Sequence, residues 1–391
     1  MRSIVFSRRI WDALFAAAFL TSITVPMVIA FVPRWSDTAW IEDVEKRKPA
    51  PFPSLSGQRD VLRKLPSDFE AFFNDNVGFR TALIQFRNRV DLRFFRKSPA
   101  AKVVLGEGDW LFYNDKPSDD EFLGLAPFKP AELNRLRLAI EKRQAWLAAR
   151  GITYIFLIAP NKQSIYPEKL PVHLQGDHGA TRTIQFLEYM RGSPAESSVV
   201  FPSDALSAAK ADGELYYHRD THWNYHGGYT AYRAAVDRLD HISSGGVAPL
   251  ALAWDDISDS NAPNGPAGGD LANMLHVEPG TTAPAKVVPV IGRPTCGVPA
   301  APAAIEGVSP GTWPDNAWTC ASDSRAQRLL LFHDSFGYGM LPFYAATFSY
   351  FRDAPRRPTF DEIVKFVEID HPTVVIEEHV ERYFEAPELQ P

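Results

Sequence analysis

The sequence predicts an α/β fold, a layered sandwich built around a mostly parallel sheet. Three observations carry that reading. Several short runs are apolar at every position, as strands covered on both faces are; helical patterns alternate with them; and Gly or Pro marks the junctions. Of the 391 residues, 45% are hydrophobic and 23% charged, so the chain can bury a core and is not a disordered segment. A net charge of −6 without a clustered basic face argues against nucleic acid as a partner.

The first element is an apolar run from Ile10 to Val32, preceded by Arg2, Arg8 and Arg9. At helical rise it is about 34 Å long, enough for a bilayer core of about 30 Å. The arginines favour a cytoplasmic N-terminus with the remaining chain outside. Residues 1–32 are therefore predicted to be a signal-anchor helix. A cleaved signal peptide is the alternative, since Val28 and Ala30 have the small-residue spacing of a processing site. Residues 33–65, with prolines, charges and little periodicity, read as a stalk, and residues 66–100 as a helical lead-in whose two helices are divided at Gly78.

The main domain is assigned to residues 101–391. "VVLGEGDWLFY" carries two strand-like runs around a Gly turn. "KPAELNRLRLAIEKRQAWLAARG" is a helix with Pro130 in its first turn and Gly151 past its end, followed directly by the buried strand "ITYIFLIAP". "SVVFPSDALSAAK" repeats the strand-then-helix order. "RLLLF" is a further buried strand leading through "HDSFG" into a helix, and "TFDEIVKFVEIDHPTVVIEE" closes with helix and strand. A Pro/Gly/Ala-rich insertion, residues 255–325, interrupts this alternation. It holds both cysteines, Cys296 and Cys320, and in an exported chain such a pair is expected to form a disulfide.

Two separated stretches carry the chemistry. In "YYHRDTHWNYH", Asp220 and His222 lie two residues apart; on an extended segment both side chains point the same way, so the carboxylate can fix the imidazole tautomer and leave the other nitrogen as a base. In "LLLFHDSFGYG", Ser335 stands where a buried strand turns into a helix, at the carboxyl end of the sheet and near free backbone N–H groups. A serine hydroxyl needs such a base to become a nucleophile. Asp220, His222 and Ser335 are thus the predicted triad. A metal site at His218, Asp220, His222 and His226 finds no further ligand block, so neither metal nor cofactor is expected. His218 and His226 read as satisfied polar tips, and Tyr216, Tyr217, Trp223 and Tyr225 as core or cleft wall. Trp223 (sugar stacking), Asn161, Lys162 and Tyr338 are secondary candidates for substrate or oxyanion contacts. Ser335 as a plain helix cap is the bland alternative. "EEHVER" at residues 377–382 reads as a charged strand end without chemistry.

The blocks "RDTHWN" at 219–224, "FHDSFG" at 332–337 and "TVVIEEHVER" at 373–382 resemble the alginate O-acetyltransferase group of SGNH-hydrolase-like proteins, as do "NDNVGFR", "GDWLFY" and "APNKQSIYPEKLP" upstream. The resemblance spans residues 65 to 385. It implies an SGNH-hydrolase-like three-layer sandwich, with Asp220, His222 and Ser335 as catalytic triad. The order Asp/His before Ser matches that group rather than ordinary GDSL-type lipases. His333 departs from the Gly that many relatives carry before Asp-Ser. The resemblance further implies acetyl transfer to an exported polysaccharide acceptor, with a membrane-bound O-acyltransferase as acetyl donor, on the periplasmic side of an inner membrane. An N-terminal anchor without a carbohydrate-binding module is closer to the AlgJ type. An acetylesterase using the same triad and a non-catalytic polysaccharide-binding subunit are the competing readings.

Overall fold

The structure, a computed structural model, describes residues 2–31, 41–42, 47–53, 61–114, 123–176, 179–243, 246–259, 263–277, 301–302, 304–306, 308–309, 314–319 and 327–383. Cys296 and Cys320, and with them the expected disulfide, lie outside the described residues.

Two compact units divide the chain: Met1–Pro99 with Leu275–Gly280, and Ala100–Met274 with Thr281–Pro391. The first contains helices α1 (Arg2–Ile29), α2 (Val61–Asn76) and α3 (Arg80–Phe95). Within α1, Arg9–Ile29 is long and apolar enough to cross a membrane; its side chains are exposed up to Val25, and Ile29 is buried. Gly78, between α2 and α3, donates its N–H to the Pro26 carbonyl at 3.0 Å. A Cβ there would lie 2.6 Å from that of Ile29, so only glycine allows this approach. The described part of the stretch read as stalk is tied to α2: Arg47 grips Asp75 with two bonds of 2.6 and 2.7 Å, Ala50 N donates to the same carboxylate at 2.8 Å, and Phe52 packs on Phe72.

The second unit is a three-layer α/β/α sandwich. A hairpin of β1 (Val103–Leu105) and β2 (Leu111–Tyr113) precedes α4 (Pro130–Ala148), β3 (Thr153–Ala159), α5 (Lys162–Ile165), α6 (Arg182–Met190), β4 (Val199–Val200), α7 (Ser203–Ala209), α8 (Tyr225–Ile242) and α9 (Asp270–Met274). There follow β5 (Asn316–Thr319), β6 (Arg328–Phe332), α10 (Leu341–Thr347), β7 (Tyr350–Ala354), α11 (Phe360–Asp370) and β8 (Val374–Val380). The sheet order is β4-β3-β8-β6-β7-β5, parallel throughout except that β5 runs antiparallel to β7. The β5–β7 pair and helices α6 and α8 were not singled out by periodicity: β7 carries Arg352 and Asp353 and so does not read as an apolar run, although both are buried.

Alternation along β3 sends Ile155, Leu157 and Ala159 into one core with α8 and α10, and Tyr154, Phe156 and Ile158 into another with α4, α6 and α11. The charged end of β8 is paired internally, as ion pairs at a charged strand end would be, but it is buried. Glu377, Glu378 and His379 are fully buried. Glu377 accepts from Tyr154 at 2.7 Å, pairs with Arg143 at 3.3 Å and meets His379 at 3.0 Å. Burial alone would raise its pKa, but the Arg143 charge and these hydrogen bonds outweigh that and hold the carboxyl below its usual range.

Candidate active site

Strands β3, β6 and β8 are neighbours, and the candidate site is built where their carboxyl ends open into loops. After Phe332 of β6 the chain makes a two-residue turn and enters a 3₁₀ segment, Ser335–Gly339; the helix that the sequence places after HDSFG, at residues 338–348, forms as α10 but begins three residues later. Gly337 and Gly339 weaken an α-helix there, and α10 starts only at Leu341, with Pro342 in its first turn. Asp334 caps the segment. Its carboxylate accepts from Phe336 N at 3.0 Å and from Val380 N at 2.8 Å, which ties the turn to the end of β8. Ser335 is exposed on this turn.

Asp220 and His222 do not lie on an extended segment, as expected, but in a turn closed by the antiparallel bridge between Tyr216 and Trp223. The turn still joins them, because one carboxylate oxygen serves two donors: Asp220 Oδ1 accepts from His222 N at 3.0 Å and meets His222 Nδ1 at 2.6 Å. The other oxygen accepts from Asp270 N at 2.9 Å. Gly265, at φ 95°, lets a loop pass so close that an added Cβ would lie 2.7 Å from that of Asp220.

The two halves meet across the cleft. His222 Nε2 is 2.7 Å from Ser335 Oγ, although 113 residues of chain separate them. With Nδ1 hydrogen-bonded to a carboxylate, Nε2 is left as the acceptor for the serine proton. Burial works against a charged imidazole, but the Asp220 charge and hydrogen bond, with the nearby Asp270, outweigh it and raise the His222 pKa above 6.5. Burial likewise opposes the Asp220 charge, and His222 reverses this, holding Asp220 low.

Asp270 belongs to the stretch read as a surface insertion and was missed. It accepts from Thr221 N at 2.7 Å and from Thr221 Oγ1 at 2.6 Å, and its Oδ2 lies 3.8 Å from His222 Nδ1. Desolvation and the Asp220 charge raise its pKa. Among the described residues, the ligand-type atoms of Asp220, His222 and Asp270, all within 4.8 Å of one another, have the geometry to hold a cation; here those groups are engaged with one another, Thr221 and Ser335.

The secondary candidates are placed unequally. Lys162 points into the protein: its buried ammonium donates to the carbonyls of Tyr217, His218 and Asp220 at 3.0, 3.0 and 2.7 Å, which uses all three of its hydrogens on the loop that carries Asp220 and His222. Burial pulls its pKa to about 7 against the attraction of Asp220, Asp270 and Asp109. Trp223 is no stacking platform either; 2% exposed, it donates Nε1–H to the Phe336 carbonyl at 2.9 Å. Asn161 starts α5, donates its N–H to Glu381 at 2.8 Å and accepts from Arg382 at 3.2 Å. Arg382, to which the sequence assigned no chemistry, lies 5.1 Å from the Phe336 ring, and its charge reaches His222. Tyr338 is part-exposed on the nucleophile turn. His218 bonds Asp109 and Glu214, each at 2.8 Å, and His226 stacks on Trp254 at 3.8 Å.

Residues 103–295 match the family described as "SGNH hydrolase-like domain, acetyltransferase AlgX". The match includes Asp220 and His222 and ends before Ser335. Among curated proteins, the chain is 25% identical over 232 residues to the probable alginate O-acetylase AlgJ of Pseudomonas syringae pv. tomato, covering 58% of this chain and 54% of that protein. To the like-named protein of Azotobacter vinelandii it is 27% identical over 218 residues, covering 55% and 52%. The chain thus spans about half the length of the curated relatives it matches. The solved structure of Bacillus cereus PatB1 superposes with a TM-score of 0.51 at 14% identity, over 74% of this chain and 98% of that one. The fold is SGNH-hydrolase-like, and the likeness to the alginate O-acetyltransferase group extends beyond the short motifs to the domain that contains the Asp–His half of the site.

Proposed function

We propose that this chain is an O-acetyltransferase that moves acetyl groups onto hydroxyls of an exported, alginate-like polysaccharide. The observation that supports this most directly is the unbroken line of contacts Asp220–His222–Ser335, 2.6 and 2.7 Å, in a chain similar in sequence to proteins named for alginate O-acetylation.

In the first half-reaction Ser335 Oγ attacks the acetyl carbonyl and its proton passes to His222 Nε2. The bond from the acyl carbon to the donor oxygen breaks, and that oxygen leaves with the proton from His222. In the second, a sugar hydroxyl gives its proton to His222 and attacks the acetyl-serine. The ester bond to Ser335 breaks, and Oγ recovers the proton. Asp220 keeps its charge throughout and steadies the imidazolium formed in each step. Helix α1 would hold the domain at the periplasmic face of the inner membrane, where a membrane-bound O-acyltransferase would present the acetyl group.

The test is the purified full-length chain with an activated acetyl ester and oligouronates. Acetylated oligosaccharide is expected, and Ser335→Ala should lose several orders of magnitude of turnover. Acetate release without any acetylated sugar would mark an esterase; undiminished acetylation by Ser335→Ala would refute the triad.

A further inference from the structure

The first three N–H groups of the Ser335–Gly339 segment are unequally committed. Phe336 N bonds the Asp334 carboxylate at 3.0 Å and Gly337 N bonds the Asp334 carbonyl at 3.1 Å. Among the described residues no acceptor takes the Ser335 N–H. In a trans peptide the carbonyl of one residue and the N–H of the next point in opposite directions. Whatever anchors the Asp334 carbonyl therefore aims the Ser335 N–H.

That carbonyl has two donors, the Gly337 N–H and the histidine that departs from the family pattern, and the histidine is the one that ties it to the sheet. His333 is fully buried beneath the turn, with Nδ1 against the Asp334 carbonyl and Nε2 2.5 Å from Asp353 Oδ1. A carbonyl can only accept, so Nδ1 must carry a hydrogen. Asp353 is itself held by Asn316 at 3.2 Å. Gly337 makes room for the ring, since a Cβ there would overlap His333 Cγ and Nδ1 at 2.2 Å. Burial opposes a charged ring, but the Asp353 carboxylate reverses this and raises its pKa.

We propose that His333, held by Asp353, is a positioning residue for the oxyanion hole: by fixing the Asp334 carbonyl it turns the Ser335 N–H toward the oxygen of an acyl group on Ser335. This rests on Ser335 being the nucleophile. An acyl oxygen on Oγ gains negative charge in each half-reaction, and an N–H already aimed at it needs no reorganisation.

Side-chain geometry supplies the experiment. The amide nitrogen of Asn falls where ring Nδ1 lies, and that of Gln where Nε2 lies. His333→Asn keeps a donor for the Asp334 carbonyl; His333→Gln keeps only the one toward Asp353. With an activated acetyl ester, His333→Gln should lower kcat by about 10²–10³-fold, the usual cost of losing one oxyanion donor, with KM little changed. His333→Asn should retain most of kcat. Equal losses in the two variants, or a loss confined to KM, would overturn the assignment. A measurement on the unaltered protein covers the case of misfolding: in a crystal structure of the Ser335 adduct with a sulfonyl fluoride, Ser335 N should lie about 2.7–3.1 Å from a sulfonyl oxygen with the His333 contact intact. A turned-over Asp334–Ser335 peptide would overturn the proposal. If instead Ser335→Ala stays active and no Ser335 adduct forms, the nucleophile reading has failed rather than the clamp.

Discussion

The ammonium nitrogen of Lys162 lies 2.7 Å from the main-chain oxygen of Asp220, and Tyr217 and His218 offer two further carbonyls at 3.0 Å. The first residue of α5, just past the end of β3, thereby holds the loop that carries Asp220 and the proposed general base, His222. Lys162→Met would leave three carbonyls without their donor in a buried place, at about 1–3 kcal/mol for an unsatisfied group, and would free the loop to shift. We expect a lower Tm together with a fall in kcat of about 10²-fold, the scale of a small misplacement of a reacting group. Lys162→Arg should not restore it, because a planar fork cannot reach three converging acceptors. A lower Tm with unaltered kcat would separate this lysine from catalysis.

In the proposed mechanism His222 accepts a proton in each half-reaction, which requires it to be neutral when substrate arrives. Its pKa is raised above 6.5 by Asp220 and Asp270 in spite of burial. Activity should therefore climb with rising pH, with the acid limb of kcat/KM centred above about 6.5. The same shift means that the protonated pair stabilises the fold at low pH and that this contribution is lost as pH rises through the folded pKa. A profile with its acid limb near 4 would show that a carboxylate, not this imidazole, is the base.

The two halves of the candidate site were legible because each is a local chemical pattern: an Asp and a His two positions apart, and a serine where an apolar strand turns. That Asp220 and His222 sit in a turn and not on a strand did not matter, since one carboxylate oxygen serves both the His222 N–H and its ring. What escaped was held in place by distant chain. Asp270 sits in a Pro- and Gly-rich stretch with no periodicity, and only its bonds to Thr221 and Asp220 give it meaning. Lys162 looked like a cleft residue because strand ends usually are, yet three loop carbonyls claim it. Strand β7 went unread because its buried charges are paired: Arg352 with Asp315 and Asp370, and Asp353 with His333.

Asp270 lies beside the base without bonding it well, its Oδ2 3.8 Å from His222 Nδ1. Its charge helps to raise the His222 pKa. Asp270→Asn removes that charge while Asn Oδ1 can still accept from Thr221 N. The acid limb of kcat/KM should then move to lower pH, with kcat reduced only modestly. Asp270→Ala also strands the Thr221 N–H, so a stability loss of about 1–3 kcal/mol is expected as well. A limb that stays in place in Asp270→Asn would remove Asp270 from the electrostatics of the base.

Glu378 is fully buried on β8 and takes the Asp334 N–H at 3.1 Å, directly under the turn that carries Ser335. Burial and the Asp334 charge raise its pKa well above the usual carboxyl range. A group whose folded pKa exceeds its unfolded value of about 4.5 binds more protons when folded, so its contribution to stability is whole below that pH and is lost as pH rises through the folded pKa. Gln has the shape of the protonated acid and cannot ionise. Glu378→Gln should therefore be close to the parent in stability at acidic pH and more stable than it at alkaline pH, because Gln never places a charge beside Asp334. Urea denaturation of both proteins across pH 5 to 9 checks this. If the difference between the two is independent of pH, Glu378 is ionised throughout, and some other group must share its charge with the turn.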